Sequence, residues 1–91
     1  MTATTMAADL RRRAHHLREL AASIEAMPAM SLDRNAGDET WHGQRPLLCR
    51  TLLARNQQQL HRAADELRSH AYRLEREADE LEASARHWLA G

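Results

Sequence analysis

Leucine and alanine recur every seven residues along two stretches of this chain, and the spacing predicts two helices. In the first stretch the apolar stripe consists of Leu10, Ala14, Leu17, Ala21 and Ile24. Spacings of three and four residues place these side chains on one face of a helix. We expect this helix over about residues 6–27, with Thr4 or Thr5 as its cap. Proline at position 28 ends it, because proline donates no hydrogen bond and disfavours helical geometry before it.

The second stretch repeats the pattern over a longer distance. Proline at position 46 suits the first turn of a helix, and neither glycine nor proline follows until Gly91. The sequence therefore predicts a helix over about residues 44–89 with a narrow seam of coiled-coil type. That seam consists of Leu53, Leu60, Leu67, Ala71, Leu74, Ala78, Leu81, Ala85 and Trp88. Tyr72 falls off the seam, and we expect it to be exposed.

These elements predict an all-α fold: one antiparallel helical hairpin with a short first helix and a long second helix. The connection over residues 28–43 is rich in Pro, Ser, Asn, Gly and Asp, and it is long for a helix–helix loop. A short helical turn around residues 31–34 is expected within it. The alternation of leucine with alanine in both stretches indicates that the helices pack closely against each other.

The two helices differ in length, and this difference predicts a partner. At about 1.5 Å per residue the first helix spans roughly 33 Å and the second roughly 68 Å. We expect the stripe of the first helix to pack on the first half of the second, around Leu53. The seam beyond it then needs cover from another chain: Leu60, Leu67, Ala71, Leu74, Ala78, Leu81, Ala85 and Trp88.

The expected partner is either a second copy of this chain or a similar helical hairpin. A homodimer would place the two long helices antiparallel in a four-helix bundle or coiled coil. One small domain of 91 residues and a single cysteine cannot rely on an internal disulfide framework, which also favours an oligomer.

Charge and composition exclude several functional classes. Thirteen basic residues balance thirteen acidic residues, so the net charge of zero argues against a nucleic-acid binder. No stretch reaches the roughly 20 apolar residues that a membrane span needs. The first residues lack the basic start and apolar run of a cleaved signal peptide. We therefore expect a protein that is cytoplasmic after synthesis.

The sequence offers no pattern for catalysis, a cofactor or a metal. No nucleophile stands beside a base, and no glycine-rich phosphate loop is present. His61 and His70 are nine residues apart, whereas two ligands on one helix face need a spacing of three or four. Cys49 is expected to be a small buried apolar residue, with a disulfide between subunits as the alternative.

The connection also contains a short motif, Trp41–His42–Gly43. A two-helix chain of this size with Trp-x-Gly between its helices resembles the WXG-hundred (Esx-like) family of bacterial type VII secretion. Glycine permits close backbone approach, and an indole is suited to close the end of a helix pair. The resemblance implies homodimers or heterodimers, a four-helix bundle, and export without a cleaved signal, with a secretion ATPase or a larger effector as further partners.

This chain departs from the family in two respects. Its first helix is short and the loop before Trp41 is long. The family's export signal is an aromatic residue followed four residues later by Asp or Glu, whereas Tyr72 is followed by Arg76 at that distance. The first hypothesis is a type VII secretion substrate or export partner. The alternative is an intracellular coiled-coil adaptor, or chaperone-like partner, of a larger helical or toxin-like protein.

Overall fold

The computed structural model describes residues 2–30 and 44–90 of the chain. Within these ranges the protein is a helical hairpin of two α-helices, α1 (Ala3–Glu25) and α2 (Gln44–Ala90). A single 3₁₀ turn, Pro28–Met30, follows α1, and the described part of the chain contains no β-strand. The all-α hairpin with a short first and a long second helix is confirmed.

The ends of α1 differ slightly from the expected ends. Thr2, rather than Thr4 or Thr5, is the N-cap: its hydroxyl oxygen accepts a hydrogen bond of 3.1 Å from the backbone N–H of Thr5. The helix therefore begins three residues earlier than expected. It ends at Glu25, with Ala26 as the C-cap still in right-handed helical geometry. Met27, the residue directly before Pro28, is the one whose helical geometry the proline disfavours.

Helix α2 is a single continuous element of 47 residues. At about 1.5 Å per residue it measures roughly 70 Å, which matches the 72 Å length of the molecule. The other two dimensions are 16 and 15 Å, so the molecule is a rod whose length is set by α2 alone.

Helix α1 lies antiparallel against the C-terminal half of α2, and this contradicts the register expected from the sequence. Salt bridges join Arg11 to Glu82, Arg18 to Glu75 and Glu25 to Arg68. The end of α1 is thus level with Arg68, about 24 residues or 36 Å from the first residue of α2. The first half of α2, where we expected α1 to pack, lies beyond the reach of that helix.

Alanine explains this choice of register. Six alanines have no exposed surface and form the core of the hairpin: Ala7, Ala14, Ala21, Ala64, Ala71 and Ala78. Their small side chains let two helix axes approach closely. In the first half of α2 the same heptad position holds Arg50 and Gln57, whose long side chains would hold α1 away. Only the second half offers α1 a matching row of alanines.

The salt bridges also exclude neighbouring registers. Sliding α1 by one heptad toward the start of α2 would place Arg18 opposite Arg68. Sliding it the other way would place Glu25 opposite Glu75. The first shift keeps the alanines of α1 opposite alanines but creates a repulsive pair of like charges. The second creates such a pair and also carries Ala7 beyond the end of α2. Alanine thus selects the half of α2, and charge selects the register within it.

Candidate functional site

Each helix carries three parallel rows of side chains, and their order determines which surface is left for a partner. Relative to Leu17, Ala14 and Ala21 lie about 50° around the axis of α1, and Arg18 lies about 100° around it in the same direction. The alanine row therefore lies between a leucine row and a charged row on both helices. The leucine rows are Leu10, Leu17 and Ile24 on α1, and Leu60, Leu67, Leu74 and Leu81 on α2.

The charged rows close one side of the alanine seam. The guanidinium of Arg11 donates to Glu82 and, over 2.8 Å, to Asp79. Hydrogen bonds to Glu82 and Asp79, the former the stronger, raise the pKa of Arg11, and a hydrogen bond to Glu75 raises that of Arg18. At the other end of α1, a hydrogen bond from Arg68 lowers the pKa of the Glu25 carboxyl. Three oppositely charged pairs seven residues apart occupy this side.

The leucine rows lie on the opposite side of the seam and are only partly buried. None of these leucines is fully covered, because two helices alone cannot enclose side chains that point away from their contact line. Leu17 and Leu74 form the floor of an open groove of about 440 Å³. Arg12, Arg13, His16 and His70 line the remainder of this groove. The groove has an apolar floor and a basic rim.

Next to its leucine row, α1 carries a further exposed row, here called the free edge of α1. It consists of Met6, Arg13 and Leu20, which are seven residues apart within α1, and of Met27, two residues past the end of that helix. The three large apolar members are 41%, 42% and 43% exposed. Single exposed leucines are normal on any protein surface, but Met6, Leu20 and Met27 adjoin a row of leucines that are also only partly covered. This row is therefore a candidate surface for a partner, while Leu47, Leu48 and Leu52 are exposed apart from it on the first half of α2.

The corresponding row on α2, the free edge of α2, has a different chemistry. It consists of Ala63, His70, Glu77 and Ser84, at the same spacing of seven residues. These side chains are short or polar, and all but Ala63 are exposed. Glu77 forms no ion pair with any residue in the ranges 2–30 and 44–90. The two free edges therefore each contain one charged residue, of opposite sign.

Several residues predicted to bind a partner instead pack inside the hairpin. Ala71 and Ala78 are fully buried against α1 of the same chain, and Leu67, Leu74 and Leu81 are partly covered there. The prediction failed because it assumed that the connection turns back at once, which would keep α1 near Leu53. Leu53 lies about 22 Å beyond the level at which α1 ends. Leu60 also lies past that end, and Ala85 is partly buried beside the start of α1.

Three single residues complete the comparison with the sequence. Trp88 is 82% exposed in the single chain, because α1 begins near this level and offers too little surface to cover an indole. Its predicted packing against a partner chain stays a prediction. Cys49 is exposed and not buried, since α1 does not extend over that part of α2. Tyr72 is 56% exposed, as predicted.

The Trp41–Gly43 motif and the expected turn at residues 31–34 lie outside the described residues. The helices on either side of the motif are described, however, and their ends are not adjacent. Helix α1 ends about 36 Å along the rod from Gln44, so the two ends do not form the compact mouth that was expected. The free edge of α1 was missed, although the spacing of Met6, Leu20 and Met27 could have revealed it.

The described residues offer neither a metal site nor a membrane-spanning helix, and the chain resembles no known protein closely enough to match it. In the described ranges, no three His, Cys, Asp or Glu side chains group in a way that could hold a metal ion. The helices of those ranges include none with the length and apolar character to cross a membrane. No family model, curated protein or solved structure matches this chain.

Proposed function

We propose that this protein acts by associating with another helical polypeptide along its leucine rows and the free edge of α1. Its role would be that of a WXG-like type VII secretion substrate or export partner. The observation that carries the association is the exposure of Met6, Leu20 and Met27 together with leucines that the hairpin covers only in part. Covering such side chains yields roughly 25 cal/mol per Å² of apolar surface removed from water.

The total surface area supports the same conclusion. A compact monomeric protein of 10.4 kDa is expected to expose about 5,400 Å². This chain exposes 7174 Å², about 1,800 Å² more. A stable interface of standard size covers about 800 Å² on each partner. The rod therefore has enough excess surface for such an interface, and association would bring its exposure toward that of an ordinary globular protein.

The assignment to secretion rests on the sequence motif and on the two-helix architecture. Trp41–His42–Gly43 directly precedes Gln44, the first residue of α2. The position where the family carries an acidic residue holds Arg76, whose guanidinium lies 3.9 Å from the carboxylate of Glu80. A chain with an arginine at this position would depend on a partner that supplies the export signal. This favours the role of export partner over that of an autonomous substrate.

The second candidate function is an intracellular adaptor for a larger helical or toxin-like protein. Arg76 favours it, because a chain without its own export signal need not leave the cell. The basic rim of the groove above Leu17 and Leu74 would suit a helix with acidic residues beside its apolar ridge. The two candidates share the same binding surface and differ in the destination of the complex.

The experiment expresses the tagged full-length chain together with its neighbouring genes in a host that has a type VII system. Recovery of the complex from the culture medium, lost when the secretion ATPase is inactivated, supports the secretion role. Trp41→Ala should retain the complex in the cell. A complex with a large chain that stays in the cell would overturn the secretion role and support the adaptor.

A matched pair of variants tests the surface itself. Leu20→Glu places a charge on the free edge of α1 and should raise the Kd of the complex at least about tenfold, a difference of about 1.4 kcal/mol. Leu48→Glu makes the same change at a leucine that is 60% exposed but lies off the leucine row. It should leave the affinity unchanged. Equal affinities for both variants would contradict the proposed surface.

A further inference from the structure

Resting on the proposed association, we infer that the partner is a second copy of this chain, placed parallel to the first about a twofold axis that runs along the rod. In this arrangement the leucine rows of both hairpins meet in the centre. The free edge of α1 in each copy then lies against the free edge of α2 in the other. The long helices are parallel and diagonal to each other, which differs from the antiparallel arrangement expected from the sequence.

The residue numbers of the two edges support this pairing. A rotation about the long axis leaves every residue at its own height along the rod, so the register within the hairpin also applies between copies. Residues 11, 18 and 25 of α1 are level with 82, 75 and 68 of α2. In that register the nearest member of the opposite edge lies about three residues, or roughly 4.5 Å, closer to the start of α2: His70 for Leu20 and Ser84 for Met6. Large apolar side chains thus have an uncharged neighbour on the opposite edge.

Charge gives the strongest reason for the parallel arrangement. Arg13 is the one charged residue of its edge, and its level on the other copy is about three residues, or roughly 4.5 Å, from Glu77, which a long arginine side chain can span. The dimer therefore forms the Arg13–Glu77 pair twice. The Arg13 side chain is 67% exposed, and it lies 3.3 Å from the carboxylate of Asp9. A guanidinium has five N–H donors, so Arg13 can contact Asp9 and the Glu77 carboxylate of the other copy together.

The antiparallel alternative places like charges together. Helix α1 has its middle near residue 14, and this level corresponds to about residue 78 of α2. A twofold axis across the rod at that level would bring the two Arg13 side chains face to face. It would do the same with the two Glu77 side chains. Like charges in direct opposition weaken a complex, so the edges discriminate between the two arrangements.

The first experiment uses the natural Cys49, the single cysteine of the chain, which is exposed. A spin label on Cys49 of the full-length protein reports the separation between copies by pulsed dipolar spectroscopy. The parallel dimer places both labels at one height across the bundle, at about 15–30 Å, given helix spacings of 8–10 Å. The antiparallel dimer places them about 85 Å apart, since Cys49 lies about 29 residues from the axis.

Each result has a distinct meaning. A distance near 15–30 Å supports the parallel dimer, and a distance near 85 Å overturns it while leaving association intact. The absence of any dipolar interaction, with the mass of a monomer by sedimentation, overturns self-association. In that case the proposed function stands or falls by the complex recovered from cells, which is a separate measurement.

A charge exchange tests the pair directly. Arg13→Glu and Glu77→Arg should each raise the dimer Kd about tenfold, because two attractive contacts per dimer become repulsive. The double exchange should restore affinity to within about threefold of the original. Arg76→Glu is the matched control, since Arg76 also lies near a carboxylate of its own helix, 3.9 Å from Glu80, but belongs to neither edge and does not line the groove. Equal weakening by Arg76→Glu, or no recovery in the double variant, would overturn the assigned pair.

Discussion

Single alanines hold the two helices together, because their size permits a close approach that no larger residue allows. All six fully buried residues of the described chain are alanines, and none of the buried residues is polar. A methyl group contributes little apolar area, so the contact depends on fit between backbones more than on the size of the side chains. Substitution at these positions should therefore be costly even when it adds apolar volume.

Enlarging one of these alanines tests this dependence. Ala78→Leu should lower the free energy of unfolding by about 1–3 kcal/mol, since the added carbons force the helices apart. Chemical denaturation followed by circular dichroism measures this change. Ala83→Leu is the control, because Ala83 is exposed on the same helix and should change stability little. A gain in stability from Ala78→Leu would show that the seam has room that the packing does not indicate.

At the scale of the helix pair, register was the property that sequence reasoning missed. The heptad pattern correctly predicted both helices and the hairpin. Leucine recurs uniformly from Leu53 to Leu81, so it is compatible with several positions of α1. The alanine row is confined to residues 64–85, and the charges at Arg11, Arg18 and Glu25 match only one alignment. The alanine row and these charges are visible in the sequence. The prediction nevertheless placed α1 on the first half of α2, because it assumed that the loop turns back at once.

The Glu25–Arg68 pair predicts a response to acid. Because its hydrogen bond to Arg68 lowers the pKa of Glu25, the pair stabilises the fold fully above the unfolded-state pKa of about 4.3. That contribution is lost as pH falls through the lower, folded-state pKa. Glu25→Gln should therefore destabilise the hairpin at pH 7, and the difference from wild type should shrink toward pH 2.

Thermal unfolding at a series of pH values measures this effect. Glu66→Gln is the matched control, because Glu66 is exposed and forms no salt bridge with the described residues. Its effect on stability should not follow the same pH dependence. A Glu25→Gln difference of equal size at pH 2 and pH 7 would contradict a role for the charged carboxylate.

On the scale of the whole molecule, the offset of α1 divides the rod into two parts. The C-terminal part is a close-packed helix pair, whereas α1 does not reach residues 44–63 of α2. The 3₁₀ turn contacts α2 just past the end of α1. Arg50 and Gln57, which lie in the first half of α2, each interact with another residue. Any assembly of two rods inherits this asymmetry, so the length of a dimer depends on the relative direction of its copies.

Small-angle X-ray scattering should therefore report the arrangement of copies. A parallel dimer keeps the length of one chain, 72 Å. An antiparallel dimer joined through its helix pairs would extend to about 100 Å, since both uncovered halves of α2 would project outward. A maximum dimension near 72 Å at twice the monomer mass is the expected outcome. A dimension near 100 Å at that mass would exclude the parallel arrangement.

The offset has one more consequence, for the two termini. Because α1 runs back along the C-terminal half of α2, Ala3 comes to lie level with Ala90 at the same tip of the rod. A short peptide could join them into a closed circle, and the chain could then be opened between Met30 and Gln44 while both helices keep their alignment. Such a rearranged polypeptide should fold to the same hairpin, with its new ends emerging from the far side of the alanine contact.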